Sequence, residues 1–182
     1  MKKIIISICL ILSNLLSAQN LINSNTRKFM EAELTFVVRD WNKVANLKSG
    51  TGETVSFFPI EITDLMTDLT IKALQVDMSV DCRGFRYTKS SWVDLNEISE
   101  FLNFIKNYVV PNISYHTEHK KSINYIFKSK EIVVSYIVEE FNNKLSVYLK
   151  NDGEVNEECY FWTENQINKS EELVNVLESL NK

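Results

Sequence analysis

Residues Tyr115 to His119, YHTEH, carry both histidines of the chain. His116, Glu118 and His119 are all metal-ligand types, so the spacing invites a zinc reading. On a strand His116 and Glu118 share a face and His119 points away, whereas on a helical turn the two imidazoles converge. A closed zinc site takes four protein ligands and a catalytic one three, and H-x-x-H supplies two. The segment lies between Pro111-Asn112 and Lys120-Lys121, which favours a solvated loop. His116 and His119 are therefore weak candidates, and no metal or other cofactor is expected. Adjacent acids at Glu139-Glu140 and Glu157-Glu158 face opposite ways on a strand and read as solvated. The chain has no G-x-S-x-G elbow, no Gly-rich phosphate loop and no Cys beside a His in sequence. Catalytic residues are not identifiable from the sequence. Phe57, Phe58, Tyr148, Tyr160 and Trp162 are aromatics that line a groove or fill a core.

The N-terminus bears on where such chemistry would operate. Met1 to Gln19 reads MKKIIISICLILSNLLSAQ. Two lysines, an apolar run and the small pair Ser17-Ala18 follow the order of a secretory signal peptide. The expected cleavage follows Ala18 or Gln19, giving a signal peptide over 1–18 and a periplasmic or secreted product. The apolar run is too short to span a bilayer, and no later stretch is apolar enough, so no transmembrane segment is expected after cleavage. Of 20 basic residues, Lys2 and Lys3 leave with the leader, and 18 then face 24 acids, a net charge of −6. Phosphate backbones select clustered Lys and Arg, so no nucleic-acid partner is expected. Cys82 and Cys159 remain, and in an oxidising compartment they either pair or sit as two buried thiols.

The elements that would position these groups follow from hydrophobic period. Leu34, Phe36 and Val38 alternate in a first strand, although Phe29, Glu33, Phe36, Val37, Trp41 and Val44 fit a helical face in part. Phe58, Ile60 and Ile62 alternate in a second strand. In the third, Ile71 and Ala73 hold one phase and Leu74, Val76, Met78 and Val80 the other, which predicts a β-bulge near Ala73 and Leu74. Arg83-Gly84 turns into a strand from Phe85. Asp94 and Glu97 form a capping box for a helix carrying Leu95, Ile98, Leu102, Ile105 and Val109, which Pro111 ends. The second half repeats the plan. Ile123 to Phe127, Ile132 to Val138, Leu145 to Leu149 and Glu158 to Trp162 are four strands, with a hairpin at Asn151-Asp152-Gly153. Thr163 and Gln166 then cap a helix containing Leu173, Val176, Leu177 and Leu180.

SSWVDLNEI, from Ser90, and CYFWTENQI, from Cys159, occupy equivalent places. The predicted fold is α+β: one domain over 19–182 with two ββββα halves, about 31–110 and 113–181, each a four-stranded antiparallel meander followed by a helix. In element order this resembles the whirly-like single-stranded nucleic-acid binders, with no shared motif. The stretch Trp92 to Ile98 and the element order over Leu34 to Leu180 resemble uncharacterised exported proteins of Bacteroidota, which implies no activity. The expected function is non-catalytic: an envelope-associated or secreted module that binds an unidentified protein or small molecule through a sheet face. Alternatives are a small hydrolase with an unrecognised site and a carrier for a lipid-like ligand.

Overall fold

The computed structural model describes residues 23–31, 34–151 and 154–181, and the expected signal peptide and the expected hairpin residues Asp152-Gly153 lie outside them. The chain is α+β with two antiparallel sheets of five strands each. A short helix α1, Asn25–Met30, comes first. Strands β1 Thr35–Arg39, β2 Ala45–Lys48, β3 Thr54–Asp64, β4 Leu69–Cys82 and β5 Phe85–Asp94 make the first sheet, ordered β1-β3-β4-β5 with β2 also on β3. A 3₁₀ turn leads into α2, Ile98–Phe104, which loosens into a π turn over Ile105–Val109 and a 3₁₀ turn carrying Pro111. The second sheet contains β6 Ile123–Lys128, β7 Ile132–Val138, β8 Lys144–Asn151, β9 Glu154–Val155 and β10 Phe161–Thr163, and α3, Ser170–Leu180, closes the chain.

The expected four strands per sheet become five because one edge strand is cut in each. In the first sheet β1 and β2 both pair with β3, and the cut falls at Asp40, whose carboxylate accepts the Asn42 N–H at 3.0 Å. In the second, β9 and β10 both pair with β8. The expected strand from Glu158 begins only at Phe161, because the Asn156 side chain accepts the N–H groups of Glu158 and Cys159 in a tight turn. Asx side chains compete with ladder bonds in this way.

The expected bulge in the third strand is absent. The register of β4 against β3 and β5 is unbroken from Leu69 to Cys82. The change of phase instead marks a change of buried face. Leu74, Val76, Met78 and Val80 point into a large core that also takes Val134, Tyr136 and Val147 of the second sheet, Phe101 and Ile105 near α2, and Leu173 and Leu177 of α3. Ala73, with Phe58, Ile60, Ile62 and Trp92, points the other way into a smaller cluster closed by Phe29 and Met30 of α1. A regular strand buries alternate residues on opposite sides, so two cores on opposite faces mimic a slipped period. Arg83 and Gly84, with φ of 51° and 82°, make the tight β4–β5 turn.

Candidate functional site

The second sheet turns one face away from the shared core. Its register places Lys128, Val133 and Tyr148 in one row across β6, β7 and β8, and Ile126, Ser135, Ser146 and Trp162 in the next. Small side chains in the middle leave a furrow along β7. Asn124, Ile126 and Lys128 form one wall, Tyr148, Tyr160 and Val155 the other, and Val133 and Ser135 the floor of a groove of about 400 Å³ that Glu157 also lines. Ile126 is 49% exposed and Val155 37%. The Tyr148 and Tyr160 rings stack with centroids 4.6 Å apart. Lys144 Nζ sits 4.7 Å from the Trp162 ring and 5.7 Å from that of Tyr160, a cation–π pair of contacts. Burial, and then the neighbouring Tyr160 phenol, push the Tyr148 hydroxyl above its ordinary pKa, so that hydroxyl stays protonated at neutral pH. Such a surface offers ring faces, aliphatic groups, hydrogen-bonding tips and the charged ends of Lys128 and Glu157.

A second constellation lies where the two sheets meet, and it is polar and closed. Asp94 and Glu131 are each 3% exposed. The Asp94 carboxylate accepts the N–H groups of Asn25 and Thr26, both at 2.9 Å, the Thr26 hydroxyl at 2.7 Å and the Lys130 ammonium at 2.9 Å. Glu131 accepts Arg27 Nε at 3.0 Å and Nη2 at 2.8 Å, the Trp92 N–H at 3.2 Å, and the Ser24 N–H and hydroxyl. Burial opposes the charge on Asp94, but the Thr26 and Asn25 N–H groups and the Lys130 ammonium outweigh it, and its carboxyl stays below the usual range. Glu97 goes the other way. Burial, with the Asp94 charge adding, raises its carboxyl despite N–H donors from Lys130 at 2.9 Å and Asp94 at 3.2 Å. Two carboxyls displaced in opposite directions are a pattern of acid–base sites. Here the chain's own donors occupy their oxygens, and the arrangement anchors α1.

Of the residues singled out by sequence, His116 and His119 are both exposed. His119 Nδ1 pairs with Glu140 at 2.6 Å, while His116 lines a shallow groove with Phe141 and Asn168. Among the described residues no group of three or more His, Cys, Asp or Glu side chains converges to hold a metal. Cys82 and Cys159 form a disulfide with Cα atoms 5.3 Å apart, bridging the end of β4 to the segment before β10. Phe57 and Phe58 are core residues on opposite faces of β3, whereas Tyr148, Tyr160 and Trp162 lie on the outer face.

Both halves of the Asp94–Glu97 capping box form. At Thr163 only one half does: its hydroxyl oxygen accepts the Gln166 N–H at 3.3 Å, but the Gln166 amide oxygen accepts the Lys48 N–H of β2 at 2.9 Å, and the helix begins only at Ser170. Ser24, Thr26, Arg27, Lys130 and Glu131 carry no local signature, because the partners that bring them together lie 36 to 107 positions away. Among the described residues no helix is long and apolar enough to cross a membrane. No protein-family model matches the chain, and no curated protein matches it significantly.

Proposed function

We propose that the protein is an exported, non-catalytic binding module that holds an extended segment of a partner or ligand along the outer face of its second sheet. One observation carries this reading: the groove along β7, walled by the stacked Tyr148 and Tyr160 rings and by β6, is the outward face of a sheet whose other side is fully packed. Aromatic walls give large contact area at low entropic cost, which is why Tyr and Trp dominate binding hot spots. Export rests on the leader-like Met1 to Ala18, and a periplasmic or secreted location follows from it. The two halves read as variants of one ββββα plan, each ending in a Trp-bearing strand and a helix, akin in Trp motif and element order to uncharacterised exported proteins of Bacteroidota.

The test is site-specific photo-crosslinking in the native host. A photoreactive residue at Tyr160 should yield a discrete adduct that the same residue at exposed His119 does not. Adducts at both positions or at neither would reject the groove as the binding face. Fractionation and intact mass address export separately: the chain should start at Gln19 or Asn20, and full-length protein in the cytoplasm would exclude it.

A further inference from the structure

We propose that Asp94, Glu131 and Trp92 form a seat for a basic peptide segment led by Ser or Thr, filled here by Ser24 to Arg27 of the same chain and able to take that segment from a second copy.

The seat belongs to the body of the protein. Asp94 ends β5, and Glu131 immediately precedes β7. Without the segment Asp94 would keep the Lys130 ammonium and Glu131 would lose the Arg27 fork, so both carboxylates would exchange matched donors for water. The Trp92 indole N–H adds an independent sign of a receptor surface, being buried with no hydrogen-bond partner. Arg27 already lies over that ring, 5.0 Å from its centroid.

The occupant depends on the seat. Its helix has six residues, and of these only Thr26 is buried. Isolated helices shorter than about 12 residues are marginal in water. Ser24 and Thr26 use both backbone N–H and hydroxyl, and Arg27 uses two guanidinium nitrogens in a fork. So many matched donors in four residues give the segment a complementary fit to the two carboxylates. The matching segment of a second copy would remake each of these bonds, so exchange carries no net loss of contacts and concentration sets its extent.

The probe is a fluorescent, N-acetylated peptide with the sequence of residues 23–31, titrated into full-length chains. Arg27→Ala weakens the resident segment and leaves the seat intact, so this variant should bind the peptide at least ~10-fold more tightly than wild type. Adding Glu131→Gln should abolish the binding, and a peptide with Ala in place of its Arg should bind neither chain. Hydrogen exchange of the β7 amides, unchanged in Arg27→Ala, shows that the body remains folded; if it does not, Ser24→Ala serves as the milder variant. Sedimentation of wild type should show a dimer that grows with concentration and is lost in Glu131→Gln. Equal peptide binding by all chains, no binding by a variant with intact β7 protection, or a wild type that stays monomeric throughout would overturn the proposal.

Discussion

Trp92 and Trp162 precede the matched positions Asp94 and Thr163 of the two halves by two residues and by one, each near the end of a strand and on the face turned away from the shared core. Their surroundings differ. Trp92 is 8% exposed beneath α1 and Arg27, and buried carboxylates fix that cover in place. Trp162 is only half-buried, and its visible cover is the Lys144 ammonium at 4.7 Å beside the open groove. A sheet face with aromatic residues is used either for folding or for binding, and the difference lies in what the rest of the chain lays over it. The first sheet recruits the segment ahead of β1, whereas the second leaves its outer face uncovered.

The disulfide joins the two halves and should show the largest effect when removed. Cys82 and Cys159 are 77 positions apart, and loss of a cross-link of that span costs about 4.5 kcal/mol in the chain-entropy model. Denaturant unfolding of the Cys82→Ser, Cys159→Ser chain measures this, and a midpoint unchanged from wild type would mean that packing alone couples the sheets.

The two tryptophans can then be compared directly. Trp92→Ala should lose about 3–5 kcal/mol as a large core deletion, against about 1 kcal/mol for Trp162→Ala at a half-buried site. Equal losses by thermal or chemical unfolding would erase the distinction between covered and open faces.

Smallest is the dependence on pH. The folded Asp94 carboxyl lies below its ordinary 3.8, so its contribution is present above that value and is lost as pH falls through the folded one. The folded Glu97 carboxyl lies above its ordinary 4.5, so its charged form costs stability at neutral pH, and that cost is relieved as pH falls towards 4.5. Asp94→Asn should therefore flatten the acid limb of stability against pH, and Glu97→Gln should remove the gain between neutral and mildly acidic pH. Unchanged profiles in both variants would mean that neither carboxyl sets the acid response of stability.

Much of the fold is legible in local pattern. Ile123, Tyr125 and Phe127 alternate and form β6; Ile132 to Val138, apolar on both faces, form the central β7; and Arg83-Gly84 forms a tight turn. Period and turn chemistry act over a few residues, so a linear reading captures them. It fails where one local signal has two tertiary causes. The phase change at Ala73 and Leu74 has the form of a bulge, yet it records two cores on opposite faces of one regular strand. Gln166 has the form of a capping partner, but its amide bonds Lys48, 118 positions away.

Composition and order by themselves determined an α+β chain with two antiparallel sheets, and they marked the stretches around Trp92 and Trp162 as equivalent. They left Phe57, Phe58, Tyr148, Tyr160 and Trp162 undivided between core and groove, with core the favoured reading. Tertiary structure alone decided that the edge strands are cut, that Phe57 and Phe58 serve different cores, and that Cys82 meets Cys159. It also decided that Ser24, Thr26 and Arg27 close over Asp94 and Glu131. The physical reason is that periodicity reports which residues avoid water, whereas a buried carboxylate is stable only where distant donors converge on it, and that convergence exists only in the folded chain.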